Sequence, residues 1–273
     1  MPETPPNHRE HYTYRDRPAI TAFHATRSAT SMAAFFLPHL RPGMRVLDCG
    51  CGPGSITVGL AEHVAPGEVI GIDIDPAHIA LAQTRAREAR LSNVRFETAD
   101  LYALPFAEAE FDAVFCHAVL AHLQHPAQAL REIRRVVGPE GVVGVREADI
   151  EGVLIAPADP LLLQSVDLWE RLIRHHGGDM RRGKQLSPLM RHAGFPHLEV
   201  SASYEYYGAS VPSRQATPAQ FLANWHLILE QVLQLGWIEQ ETKAQVDAAW
   251  HTWSMHPDAF VAAPRWEVVG WLR

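Results

Sequence analysis

The sequence contains little of what a disulfide scaffold or a zinc site requires. Only 3 of its 273 residues are cysteine, too few to cross-link a chain of this length. Two of them, Cys49 and Cys51, are separated by one residue, which is not the usual spacing of zinc ligands. We therefore expect no metal site and a reducing, cytoplasmic environment.

Membrane and nucleic-acid signals are also missing. No segment reaches the roughly 18 consecutive apolar residues of a membrane span. The polar, proline-rich start lacks the basic and apolar regions of a signal peptide. Lys and Arg total 24 against 31 Asp and Glu, a formal charge of −7, which disfavours broad contact with phosphate backbones. We expect no membrane association and no nucleic-acid partner.

Between residues 44 and 147 the sequence alternates short apolar strands with amphipathic helices. Strands are predicted over 44–48, 68–73, 93–98, 111–116 and 141–147, and helices over 55–64, 76–90 and 126–137. Helices of this length between strands indicate crossover connections and a mostly parallel sheet. The predicted fold class is α/β, doubly wound.

The flanking segments predict further elements around this core. Residues 1–17 are predicted to be a loosely docked tail, 19–40 a helical segment, 158–176 and 184–193 helices, and 197–202 a strand. A tryptophan-rich helical stretch over 217–256 precedes a last strand over 266–272, giving seven strands in all. We divide the chain into 1–41 (tail and helix), 42–203 (core), 204–264 (helical cap) and 265–273 (last core strand).

The strongest single motif is a glycine-rich turn between the first strand and the first core helix. Gly50, Gly52 and Gly54 alternate there, as expected where a ligand lies against bare backbone. The third glycine comes one residue earlier than in the dinucleotide motif G-x-G-x-x-G, and no P-loop lysine follows. Asp48, just before the glycines, would repel a pyrophosphate. A zwitterionic or cationic ligand is therefore predicted.

Two acidic residues follow the next strands. Asp73 ends the second strand, where a carboxylate can accept hydrogen bonds from a ribose diol. Its alternative role, capping the helix that begins at Pro76, suits Asp75 better. Asp100 ends the third strand and can accept from an adenine amino group. Together with the glycine turn, they predict a nucleoside-shaped site.

These segments resemble the successive motifs of class I S-adenosylmethionine-dependent methyltransferases. The matching motifs are Asp48-x-Gly50-x-Gly52-x-Gly54, Gly71-Ile-Asp73-Ile-Asp75, Ala99-Asp100 and Phe111-Asp-Ala-Val-Phe-Cys-His117. The closer likeness is to the UbiE-like small-molecule branch, including secondary-metabolism members such as the epidithiodiketopiperazine thiol methyltransferases. The resemblance implies a Rossmann-like core that binds S-adenosylmethionine and releases S-adenosylhomocysteine.

The resemblance also implies a role for each matching residue. The loop of Asp48 and the three glycines would approach the methionine moiety, Asp73 would hold the ribose, and Asp100 would bind the adenine amino group. The remaining implied contacts are Ile74 and Leu101 on the adenine ring, the backbone at Cys116 on the methionine ammonium, and Arg27 on its carboxylate.

Methyl transfer requires a nucleophile held in line with the activated methyl group. A thiol needs no base, whereas a phenol or carbon nucleophile would want one. The candidate bases are His117 and His122, and packing roles for both stay open. Their separations from His125 do not place three rings on one helical face, which excludes a metal triad there.

We therefore predict methyl transfer to the sulfur, oxygen or carbon atom of a small organic metabolite. The alternatives are methylation of a macromolecule such as tRNA, or a cofactor-binding module without transfer; a dehydrogenase fits least. A monomer and a homodimer are both open. The aromatic residues proposed for a lid over the acceptor are Tyr204, Tyr206, Tyr207, Trp225 and Trp237.

Overall fold

The computed structural model describes residues 13–14, 17–208 and 218–273 of the chain. The strands within these ranges are β1 (Val46–Cys49), β2 (Val69–Asp73), β3 (Val94–Thr98), β4 (Phe111–His117), β5 (Val137–Ala148), β6 (Leu154–Ala156), β7 (His197–Gly208) and β8 (Phe260–Trp271). The α-helices are α1 (Pro18–His24), α2 (Ala29–Met32), α3 (Ser55–Val64), α4 (Pro76–Glu88), α5 (Pro126–Val136), α6 (Pro160–His175), α7 (Arg182–Ala193), α8 (Pro218–Gln234) and α9 (Gln240–Met255).

One mixed sheet organises the molecule. Its order is β3-β2-β1-β4-β5-β8-β6, with β7 also paired to β8. The first five strands run parallel, and β8 is antiparallel to β5, β6 and β7. The doubly wound α/β fold is thereby confirmed. The additional strand, β6, was missed because its three residues, two exposed and one partly buried, form no recognisable apolar alternation.

The last strands are longer than predicted. Strand β7 was expected over 197–202 and β8 over 266–272, but they pair continuously from His197 with Trp271 to Gly208 with Phe260. Ladder hydrogen bonds extend both strands into segments without a strong apolar pattern. The proposed boundaries at 203 and 264 fall inside these strands, and the division of the chain into functional segments stays a prediction.

The N-terminal segment is broken rather than continuously helical. Helix α1 ends at His24, and α2 begins after Ser28, whose hydroxyl caps it together with Ser31. Thr13 is buried, and its Oγ1 lies 2.9 Å from Nδ1 of His176. This part of the predicted tail is therefore docked, and residues 1–12 and 15–16 lie outside the described residues.

Two faces of the sheet and a separate helical cluster bury most apolar side chains. Helices α2 and α3 pack on one face, and α5 and α7 on the other. Helices α6, α8 and α9 pack together, where Trp225 and Trp250 stack with ring centroids 4.7 Å apart. This cluster lies beyond the carboxyl ends of β4 and β5. None of the helices in the described ranges is long and apolar enough to cross a membrane.

Candidate active site

The glycine turn after β1 exposes its backbone to open space. Gly50, Gly52 and Gly54 have φ angles of 69°, 53° and 74°, a region that side chains rarely adopt. The amide of Gly52 donates to Oδ2 of Asp73 at 2.9 Å. A Cβ added at Gly52 would meet no atom within 4 Å, so the turn presents bare backbone to open space.

That open space is a cavity of about 540 Å³ above the carboxyl ends of β1 to β4, which we call the loop cavity. The sequence-predicted residues that line it are Arg27, Gly50, Gly52, Asp73, Ile74, Asp100, Leu101, His117 and His122. Asp48, Gly54 and Cys116 do not line it. Gly54 ends the turn at the first residue before α3, and Cys116 is fully buried in β4.

Asp48 lies beneath the glycine turn rather than in the cavity. Its side chain is buried, and Oγ1 of Thr57 donates to its Oδ2 at 2.6 Å. Burial raises the pKa of Asp48 to about 7. The carboxyl group therefore supports the turn from below, where an uncharged acid is favoured.

Asp48→Asn is expected to change how stability depends on pH. The folded protein keeps the Asp48 proton up to about pH 7 whereas the unfolded chain releases it near pH 4, so the wild type loses stability as pH rises through this range. Asparagine keeps an acceptor for Thr57 but does not titrate. Between pH 5 and pH 8, urea unfolding should shift in favour of the variant by about 2–3 kcal/mol. Parallel pH profiles of the two proteins would contradict this assignment.

Asp73, the last residue of β2, and Asp100, two residues after β3, both line the loop cavity. Asp73 also receives the amide of Asp75 on Oδ1 at 2.9 Å, and Nδ1 of His78 lies 3.4 Å from the same oxygen. That contact with Asp73 raises the pKa of His78. Asp100 accepts the amide of Tyr102 at 2.9 Å and is otherwise exposed. Asp73 is thus tied to the glycine turn, whereas Asp100 stands at the rim.

The two histidines proposed as bases are both disfavoured in the charged state. His117 is buried, and its pKa is held well below the usual range by burial and by Arg146. Burial, followed by Arg27 and Arg265, lowers the pKa of His122 to about 4. Both rings are therefore neutral at pH 7 and have little tendency to take up a proton.

A second cavity of about 130 Å³ adjoins the loop cavity, and we call it the aromatic cavity. Its aromatic walls are formed by Tyr14, Phe23, Trp169, Tyr207, Trp225 and Trp250, and its polar lining includes Glu147, Asn224 and Arg265. Four residues, His24, Arg27, Ala118 and His122, line both cavities. Of the aromatic residues proposed for a lid, Tyr207 and Trp225 lie here, and Tyr204, Tyr206 and Trp237 do not.

A buried ion-pair network adjoins the aromatic cavity and reaches its lining through Arg265 and Tyr207. Arg265 binds both carboxylate oxygens of Glu205 at 2.9 and 3.0 Å, and Arg146 reaches Glu205 at 2.7 Å. Burial opposes ionisation of Glu205, but Arg265, Arg27 and Arg146 hold its pKa well below the usual range. The hydroxyl of Tyr207 donates to the same carboxylate at 2.6 Å.

The chain is similar in sequence to known proteins. Residues 40–194 match the family described as a methyltransferase domain. A probable methyltransferase, ltbC, from Aspergillus luteorubrus is 32% identical over 274 residues, which covers 90% of this chain and 92% of that protein. The chain belongs to the methyltransferase family. More narrowly, it is a class I S-adenosylmethionine-dependent methyltransferase, as the motif resemblance implied.

Two further similarities define the range of the match. An uncharacterized methyltransferase, C1B3.06c, from Schizosaccharomyces pombe is 37% identical over 176 residues, covering 61% of this chain and 62% of that protein. The Haemonchus contortus phosphoethanolamine N-methyltransferase 2, solved with S-adenosylhomocysteine, has a TM-score of 0.60 at 16% identity. The match covers 96% of this chain and 58% of that one. At this level of identity it supports the fold and nothing more.

The residues of the loop cavity fit S-adenosylmethionine. Bare backbone at Gly52 faces the open space, and acidic groups stand at the strand ends. Nε of Arg27 is buried without a hydrogen-bond partner among the described residues, so a cation is available where the two cavities meet. When bound, the cofactor would supply an activated methyl group there.

Several residues that line the two cavities were not among the residues predicted from the sequence. His24 lines both cavities, although α1 lies outside the recognised motifs. Asn224 and Arg265 reach the aromatic cavity from segments more than 70 residues beyond the parallel strands, and no spacing pattern links them to it. Glu147 could have been identified from the sequence, because it is an acidic residue near the carboxyl end of a predicted central strand.

Proposed function

We propose that this methyltransferase transfers the methyl group of S-adenosylmethionine to a small organic metabolite that binds in the aromatic cavity. The observation that carries the proposal is the junction of the two cavities through His24, Arg27, Ala118 and His122. A cofactor in one cavity and an acceptor in the other would meet at this junction. Positioning of that kind supplies much of the barrier lowering in a displacement reaction.

Cofactor contacts are proposed for the residues that line the loop cavity. Asp73 would accept hydrogen bonds from the ribose, and Asp100 would accept from the adenine amino group. Ile74 and Leu101 would contact the adenine ring. Arg27 would pair with the methionine carboxylate, which its unpartnered Nε supports. Asp48, Gly54 and Cys116 would act through the shape of the turn and of β4.

A small, largely apolar acceptor suits the walls of the aromatic cavity. Its boundary is formed mainly by aromatic and aliphatic side chains, which come from α1, α6, α8 and α9 and also from β6, β7, β8 and the segments that join them. Burial of such surface favours an apolar ligand, and the few polar groups would fix its orientation. The net charge of −7 weighs against a nucleic-acid acceptor.

Val166→Phe tests this assignment by adding bulk to the aromatic cavity. Val166 lies on α6 and lines that cavity but not the loop cavity. For any acceptor that the wild type methylates, we expect KM to rise about tenfold or more. A steric penalty of about 1.4 kcal/mol weakens binding tenfold. The affinity for S-adenosylmethionine, measured by calorimetry, should not change.

The matched control is Leu163→Phe on the same helix. Leu163 is 49% exposed and lines neither cavity, so this variant should keep the wild-type KM. If both variants lost acceptor binding equally, the effect would be on α6 itself. If neither changed KM, the acceptor would bind elsewhere and the proposal would be wrong.

A further inference from the structure

Among the described residues, Glu147 is the one that places a carboxyl group in the lining of the aromatic cavity. It stands one residue before the end of β5 and has no exposed surface. Its Oε1 accepts two backbone amides of the segment after β4, from Val119 at 2.8 Å and from Leu120 at 2.6 Å. Its Oε2 is buried and has no hydrogen-bond partner within the described part of the chain.

Arg265, the cation whose charge acts on Glu147, does not supply the missing partner of Oε2. Arg265 lines the same cavity, but its guanidinium is already bound to both oxygens of Glu205. A buried carboxylate oxygen without a partner costs free energy, so such an atom in a ligand cavity indicates a partner that binds there. In its ionised form, the form that can act as a base, the carboxylate only accepts, so the partner of that form must donate a hydrogen.

A second acceptor atom in the cavity indicates the same kind of ligand. Oδ1 of Asn224, on α8, is buried and has no hydrogen-bond partner in the described ranges. Two acceptors between aromatic walls suit a ring that carries hydroxyl groups. A thioether or an ether has no hydrogen to donate and would leave both oxygens unpaired.

We propose that Glu147 is the general base of the reaction and that the acceptor is a phenol, which is methylated on oxygen. This inference rests on the proposed function, since it names the acceptor class of the same site. As the phenol oxygen forms its bond to the methyl carbon, the carbon–sulfur bond breaks and its electron pair stays on sulfur. The hydroxyl proton passes to Oε2 of Glu147, so one cation and one carboxylate are neutralised together.

The other titratable groups that line the cavity suit this task less well. His24 and His122 are held neutral, with pKa values below the usual range because both are buried beside Arg27. Burial raises the pKa of Tyr14 and Tyr207, so these hydroxyls stay protonated. Burial raises the pKa of Glu147 to about 7, where a base balances proton affinity against ionisation at neutral pH.

Glu147→Gln separates the base from its structural role. The glutamine oxygen still accepts from Val119 and Leu120, but the side chain cannot take a proton. Loss of general-base catalysis should lower kcat for a phenol by about 100-fold or more. The rise of the wild-type rate around pH 7 should disappear in the variant. The melting temperature and the affinity for S-adenosylmethionine should match the wild type.

Two further measurements make this test specific. The control Glu170→Gln changes another buried carboxylate, which pairs with Arg174 at 3.0 Å and lines neither cavity, and it should leave kcat unchanged. Equilibrium binding without cofactor compares a phenol with its methyl ether. The wild type should bind the phenol about tenfold more tightly, and Glu147→Gln should lose most of that preference, as loss of a charge-assisted hydrogen bond requires.

The outcomes distinguish this inference from the proposed function. Full phenol turnover by Glu147→Gln would overturn the role of Glu147 while leaving methyl transfer intact. Methylation of thiols alone, at equal rates in the wild type and in Glu147→Gln, would also overturn the role of Glu147. Equal binding of a phenol and its methyl ether by the wild type would do so too. Absence of cofactor binding would instead overturn the proposed function.

Discussion

Asp73→Ala is expected to raise the Kd for S-adenosylmethionine by about 10- to 150-fold. This range corresponds to the loss of about 1.5–3 kcal/mol, the usual contribution of hydrogen bonds to a charged group. The carboxylate stands at the loop cavity, where it would bind the ribose, and it also holds the amide of Gly52 at 2.9 Å. Calorimetric titration with the cofactor measures the change. Asp73→Asn, which keeps a neutral acceptor for Gly52, should show a smaller loss.

Asp75→Ala is the matched control for this prediction. Asp75 follows two residues later, caps α4 by accepting the amide of Ala77 at 2.9 Å, and does not line the cavity. Its removal should cost about 1 kcal/mol of stability, as for other helix caps, with cofactor affinity unchanged. Equal effects of the two alanine variants on cofactor binding would contradict a direct role for Asp73.

Glu205→Gln is expected to lower the free energy of unfolding by about 3–5 kcal/mol, because it removes the shared partner of two buried cations. Arg146 is 1% exposed and Arg265 is 8% exposed, and both bind this carboxylate. Since burying an unpaired charge is far costlier than burying a pair, the destabilisation should greatly exceed that of a surface substitution. Urea unfolding measures it.

The control for Glu205 lies on the same strand and the same face. Glu199 is exposed, so Glu199→Gln should change stability by no more than about 0.5 kcal/mol. The destabilisation caused by Glu205→Gln should also be larger near pH 7 than at acidic pH. The pKa of Glu205 lies well below its usual range, so the wild-type carboxylate is ionised at pH 7 and loses its contribution as the pH falls. If both variants changed the free energy of unfolding by a similarly small amount, Glu267 and solvent would be sufficient to compensate the charges of Arg146 and Arg265.

The parallel half of the fold was readable from sequence because its signals are local. Helix α3 occupies the predicted 55–64, and Asp75 caps α4 as expected. Glycine spacing, strand length and helix starts are all encoded within a few neighbouring residues. The same locality linked Gly52 with Asp73, since the glycine turn follows β1 and Asp73 ends β2, the adjacent parallel strand.

The surroundings of the aromatic cavity could not be predicted in this way. Thr13 reaches His176, and Trp250 donates to Ser165 at 3.0 Å, pairings between segments far apart in sequence. The two histidines proposed as bases were chosen for residue type and position after β4. Their burial beside arginines, which holds them neutral, depends on β5, β8 and the segment between α1 and α2 together. Nothing near them in the sequence carries that information.

Product analysis with purified protein tests the central assignment most directly. The protein is incubated with S-adenosylmethionine and a panel of phenols, hydroquinones, thiols and amines, and S-adenosylhomocysteine release is followed together with the mass of each acceptor. The account predicts release coupled to one added methyl group on a small acceptor, with phenols methylated on oxygen. Tight cofactor binding combined with no methylation of any small acceptor, and methylation of tRNA instead, would contradict it.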